Sequence, residues 1–103
     1  LAERATRQYE ASRQKVADFI GAKSSKEVIF TRGTTSSLNW VGKFAEQVLK
    51  PGDEVLISIM EHHANILPWQ QVCQKTGARL VYAYLKKGKL DMNDLQSKLG
   101  AST

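Results

Sequence analysis

The 103 residues carry 15 Lys+Arg against 10 Asp+Glu, a formal charge of +5, with 42% apolar and 24% charged residues, the balance of an ordinary globular protein. Two Pro and seven Gly exclude a fibrous chain and argue against a disordered one, and no run approaches the roughly 20 apolar residues that cross a bilayer. The single cysteine, Cys73, excludes an intrachain disulfide and a multi-cysteine zinc site, so a reducing compartment, the cytoplasm, is the expectation.

Ala5, Tyr9, Val16 and Ile20 recur at helical spacing, and Gly21 stands where a C-terminal cap belongs. Val28 to Thr31 reads as a short buried strand. Leu38, Val41, Phe44, Ala45, Val48 and Leu49 share one broad helical face that ends at Pro51-Gly52. Glu54 to Ile59 is near-continuously apolar, which predicts a strand covered on both faces. A helix follows from Asn65, a good N-cap, to Gly77, with Pro68 inside its first turn. Arg79 to Leu85 predicts a third strand. Asp91 caps a last helix, with Asp94 as a shortened capping box and Leu90 placed to staple onto Leu95.

This regular alternation predicts an α/β layer structure with a largely parallel sheet. No linker, repeat or low-complexity stretch marks a boundary, so residues 1–103 read as part of one domain. The sequence opens inside a helix and closes at Ala101-Ser102-Thr103 without a terminating element, which leads us to expect a piece of something larger.

In open α/β sheets ligands bind beyond the carboxyl ends of the strands, and both loops found there are unusual. The first, Thr31-Arg32-Gly33-Thr34-Thr35-Ser36-Ser37, sets a glycine and several hydroxyls before a helix start. Free N–H groups and the positive helix end suit a phosphate there, although spacing alone favours Thr34 or Thr35 as a plain N-cap. No GK[ST] follows the glycine, so it is not a Walker loop. The second, Met60-Glu61-His62-His63-Ala64-Asn65, holds adjacent histidines that point in different directions and chelate poorly, and it lacks HExxH spacing. An imidazole there can stack on a flat ring and move protons, or simply sit in solvent. Cys73, beside Trp69 and Val72, reads as a packing thiol. Trp40 and Trp69 fall at core spacing, and Arg32 is balanced between an ion pair and an anion contact. Lys86-Lys87-Gly88-Lys89 reads as a solvated turn between a strand and a helix, or else a phosphate-binding patch.

Taken together, Arg32-Gly33-Thr34-Thr35, then Gly52-Asp53-Glu54-Val55, and Glu61-His62-His63-Ala64-Asn65 followed by Pro68-Trp69-Gln70 closely resemble the pyridoxal-phosphate cysteine desulfurases of the SUF type, within the class V aminotransferases. The resemblance covers essentially the whole sequence. It implies part of the large domain of a fold-type I enzyme, in which the first strand lies apart from the next two, so that this segment alone closes no continuous sheet.

The activity implied is removal of sulfur from L-cysteine, giving L-alanine and an enzyme persulfide for iron-sulfur cluster assembly. A homodimer passing sulfur to an acceptor protein of the SUF system is implied with it. Thr35, with Thr34 beside it, is placed to hold the cofactor phosphate, and His62 to stack on the pyridine ring and to take part in proton transfer. Ser36 departs from relatives that carry an acid after the paired threonines. None of the ten lysines follows a histidine, as the cofactor lysine of the family does, and Cys73 does not match the persulfide cysteine. The segment alone is therefore expected to be inactive. Selenocysteine lyases and other class V enzymes share these residues. A small basic module using Lys86, Lys87 and Lys89 on nucleic acid is the reading from another class; no aromatic residue interleaves those lysines as base stacking requires, so no nucleic acid and no membrane are expected as partners.

Overall fold

A computed structural model describes residues 1–103. Compact units divide the chain at Arg32/Gly33, and each is built around its own contacts. None of the helices is long and apolar enough to cross a membrane.

In the first unit, helix α1 (Ala2–Ile20) ends at Gly21, which takes the left-handed conformation (φ 73°) and donates its N–H to the Ala17 and Asp18 carbonyls. Ala17 is fully buried. Arg13 ties the following segment back to the helix: its guanidinium donates to the Ser25 carbonyl at 2.8 Å and to the Val28 carbonyl at 2.9 Å, and it pairs with Glu10. Tyr9 meets Phe30 edge to face at 5.3 Å.

The expected strand at Val28 to Thr31 does not form. Val28 keeps an extended backbone (φ −107°, ψ 119°), but a strand exists only through its ladder partners, and here Arg13 takes the Val28 carbonyl. Ile29 is left 72% exposed.

The second unit is a β-α-β layer. Helix α2 (Thr34–Ala45), strand β1 (Glu54–Ser58), helix α3 (Leu67–Thr76) and strand β2 (Arg79–Ala83) follow one another. β1 and β2 run parallel, with Glu54 opposite Arg79 and Ser58 opposite Ala83, as a helical crossover requires. Their shared core is Ile57, Val72, Cys73, Ala78 and Ala83.

α2 crosses α3 at Gly42, where a Cβ would stand 3.3 Å from Val72 Cγ2 and 3.4 Å from Pro68 Cβ. The absent side chain is what lets the two helices approach. The helix stops at Ala45, short of Pro51-Gly52, because its last turn tightens: the Gln47 and Val48 N–H groups reach back only three residues, to Phe44 and Ala45.

Three other expectations need correction. β1 is covered on both faces only in part: Ile57 is buried while its neighbours are half-buried, since a two-stranded sheet has too few neighbours to enclose it. α3 begins at Leu67, not Asn65, and the Asn65 side chain serves the loop instead of capping the helix. The third strand ends at Ala83; Leu85–Lys86 (β3) and Lys89–Leu90 (β4) then form an antiparallel hairpin. Its two-residue turn, Lys87-Gly88, has both φ angles positive, the twist that a tight hairpin favours.

Asp91 caps helix α4 (Met92–Lys98) as expected, its carboxylate accepting from the Asn93 and Asp94 N–H groups. Asp94 completes no capping box, because its carboxylate turns to the Tyr84 N–H at 2.7 Å and to Lys98 at 2.8 Å. Those two hydrogen bonds, Lys98 first, hold the Asp94 carboxyl below the usual range. Replacing the cap, Asp91→Ala, is expected to cost about 1 kcal/mol, read as an earlier urea-unfolding midpoint of the full-length protein.

Candidate cofactor site

The second loop singled out from sequence lies wholly in the second unit, and the first lies in it from Gly33 onward. Gly33 is the N-cap of α2, at φ 154° and ψ 176°, a conformation that L side chains rarely adopt, and it offers no side chain to the cap. Thr34 and Thr35 are thus the first two helical residues, and neither is the N-cap. The first intrahelical bond is from the Ser37 N–H to the Gly33 carbonyl, 3.0 Å. The N–H groups of Thr34, Thr35 and Ser36 therefore have no acceptor within the helix. Both threonines are exposed, and no acidic residue lies in the first turn. Amide donors, two hydroxyls and the positive end of the helix dipole make this end suited to a phosphate monoester.

The second loop leaves β1 at Ser58 and returns to α3 at Leu67. His62 caps a single 3-10 turn, His63–Asn65, its Nδ1 accepting from the Ala64 N–H at 3.1 Å. In a neutral imidazole this places the proton on Nε2. The His62 ring is exposed, and the His63 ring lies 6.3 Å away at 65° to it, so the pair diverges. The turn packs against α2, which makes the His62 loop and that helix neighbours.

A chain of side chains that sequence reasoning missed spans the same loop. Ser58 Oγ donates to Glu61 Oε1 at 2.5 Å, Asn65 Nδ2 to Glu61 Oε2 at 2.9 Å, and Trp69 Nε1 to Asn65 Oδ1 at 2.9 Å. The hydrogen bonds from Ser58 and then Asn65 hold the Glu61 carboxyl below its ordinary value. The spacing 58, 61, 65, 69 was the available signal, a helix-like interval that carries on through a loop.

Trp69 thus has a polar partner besides its packing, whereas Trp40 is not core: it is 57% exposed and lies 5.9 Å from Phe44. Cys73 is buried, and burial pushes its thiol pKa up, as befits a packing residue. Cys73→Ala is expected to cost on the order of 1 kcal/mol of stability and to leave cofactor binding unchanged, checked by thermal unfolding and by cofactor titration of the full-length protein. Arg32 is exposed, and Lys86, Lys87 and Lys89 are exposed along the β3–β4 hairpin.

The aminotransferase class-V family profile matches residues 1–103, and the chain belongs to that family. It is 46% identical over 99 residues to cysteine desulfurase CsdA of Escherichia coli (strain K12), covering 95% of this chain and 25% of that protein. It is 52% identical over 82 residues to a probable cysteine desulfurase of Vibrio cholerae serotype O1, covering 79% of this chain and 20% of that one. Two solved structures share the fold. The crystal structure of Escherichia coli CsdA in its S-sulfonic acid form superposes with a TM-score of 0.83 at 42% identity, covering 98% of this chain and 26% of that one. The apo cysteine desulfurase of Thermococcus onnurineus NA1 gives 0.84 at 40%, covering 93% and 24%. The chain spans about a quarter of the length of these relatives.

Family members depend on pyridoxal phosphate. The donor set fits that group: the start of α2 offers hydrogen-bond donors to its phosphate, and the exposed His62 ring offers a flat face to its pyridine.

Proposed function

We propose that these residues form part of the large domain of a pyridoxal-phosphate-dependent cysteine desulfurase. In the net reaction the C–S bond of L-cysteine breaks, sulfur passes to an enzyme thiol as a persulfide, and L-alanine is released. Thr35 holds the cofactor phosphate through its hydroxyl and the adjoining N–H groups, with Thr34 beside it. Gly33 keeps the approach to those donors free of a side chain. His62 would stack on the pyridine ring and hold the transferred proton on its own ring nitrogen. The Ala64 N–H on Nδ1 leaves Nε2 as the nitrogen that holds that proton in the neutral ring. When bound, the cofactor supplies the electron sink that withdraws charge from the amino-acid carbons during cleavage. The lysine that anchors it and the cysteine that accepts sulfur belong to other parts of the full-length protein.

In this reading the enzyme works as a homodimer in the cytoplasm and hands its sulfur to an acceptor protein of the SUF system for iron-sulfur cluster assembly. The observation that supports it is a fold shared with cysteine desulfurases, in which the turn that His62 caps packs against α2, the helix whose first residues are Thr34 and Thr35. The test is a product assay on the full-length protein with L-cysteine and a thiol reductant. One alanine per sulfide released is expected. No alanine from L-cysteine, with turnover of selenocysteine alone, would replace the reading by a selenocysteine lyase.

A further inference from the structure

We propose that Glu61 is a positioning residue: its carboxylate ties the end of β1 to the base of α3 and so fixes the loop conformation in which the His62 imidazole is presented. The inference rests on the reading of His62 as the residue that meets the cofactor ring.

Glu61 sits between two fixed elements. On one side Ser58, the last residue of β1, donates to Oε1; on the other Asn65, which closes the 3-10 turn, donates to Oε2. Asn65 is held in turn by Trp69, in the first turn of α3. The four residues are half-buried, whereas His62 and His63, inside the span they bracket, are exposed. Within the bracket the backbone is bonded residue to residue: the Asn65 N–H reaches the His62 carbonyl at 2.8 Å, and the Ile66 N–H the His63 carbonyl at 3.0 Å.

The exposed histidine has no packing of its own to orient it; its ring direction comes from the Ala64 N–H on Nδ1 and from the turn that places Ala64. A carboxylate suits the bracket because it accepts on both oxygens and needs no counter-ion, and Glu61 has only neutral donors within hydrogen-bond reach. Removing it frees the turn at both anchors at once.

Three variants of the full-length protein separate the possibilities: Glu61→Ala, Glu61→Gln and Asn65→Ala. The first readout is hydrogen exchange of the peptide spanning residues 59–66 in the cofactor-free protein. The second is the visible circular dichroism of the cofactor in the loaded protein, which depends on how the ring is held. Glu61→Ala and Asn65→Ala are expected to speed exchange of that peptide at least tenfold and to reduce the cofactor dichroism at least twofold. Glu61→Gln is expected to restore both, since its amide oxygen accepts from Asn65 and its amide nitrogen donates to the Ser58 hydroxyl.

Unchanged exchange in Glu61→Ala and in Asn65→Ala would overturn the tie. Faster exchange with wild-type dichroism would overturn its link to the cofactor. Failure of Glu61→Gln to restore either signal would overturn the geometric role in favour of the charge. His62→Ala run alongside keeps the two readings apart: if that change leaves the dichroism untouched, the assignment of His62 itself fails, whatever Glu61 does.

Discussion

His62→Ala in the full-length enzyme is expected to lower kcat for L-cysteine by about 100- to 10,000-fold, the range that a positioned proton-transfer group supplies. In the proposed role two contributions would vanish together: the face that would lie on the cofactor ring and the nitrogen that would hold the proton. His62→Phe separates them. It keeps a flat ring, so the cofactor is expected to remain bound nearly as tightly as in the wild type, while kcat stays as low as in the alanine variant. His63→Ala serves as the control, because the His63 ring is turned 65° from that of its neighbour, and a change within threefold is expected. Equal losses at the two histidines would show that the loop as a whole matters and not the His62 ring.

The second large effect is on cofactor retention. Thr35→Val keeps the shape of the side chain and removes its hydroxyl. A hydrogen bond to a charged acceptor contributes about 1.5–3 kcal/mol, so the dissociation constant for pyridoxal phosphate is expected to rise about 10- to 150-fold. Thr34→Val is expected to cost less, as the proposal places its side chain beside the phosphate and not on it. The amide donors at the start of α2 remain in both variants, which is why binding weakens without being abolished. Measurement is by titration of the cofactor-free protein, followed in the visible absorption of the bound form. An unchanged constant for Thr35→Val would remove the threonine from the site and leave the backbone as the only phosphate ligand.

Legibility of the sequence followed the range of the forces involved. α1 and α4 could be read because their caps, Gly21 and Asp91, act on neighbouring residues. β1 and β2 were marked by apolar runs whose buried residues, Ile57 and Ala83, share a core with Val72 and Cys73 in the same unit. Val28 to Thr31 has the composition of a strand but forms none, since pairing is a long-range property that a local run of residues does not contain.

Lys86 to Lys89 reads from sequence as a solvated turn between a strand and a helix; the turn is there, but the short hairpin around it, set by two positive φ angles, leaves no mark in so charged a run. Asn65 was misread as a helix cap because the same side chain can cap a helix or bridge a loop, and only the position of Glu61 decides between them. Thr34, Thr35 and His62 stand out in the sequence by residue type and place in the alternation, and the structure sets them at the start of α2 and in the loop after β1. The Ser58-Glu61-Asn65-Trp69 chain does not stand out, because each of its members has an ordinary local explanation and the bonds joining them appear only in three dimensions.

The measurement that bears most directly on the central claim is a crystal structure of the full-length protein with pyridoxal phosphate bound. The cofactor phosphate is predicted to lie within hydrogen-bond distance of Thr35 Oγ1 and of the N–H groups at the start of α2, with the His62 ring on the face of the pyridine. A phosphate held by another helix end, with Thr34, Thr35 and His62 facing solvent, would contradict it.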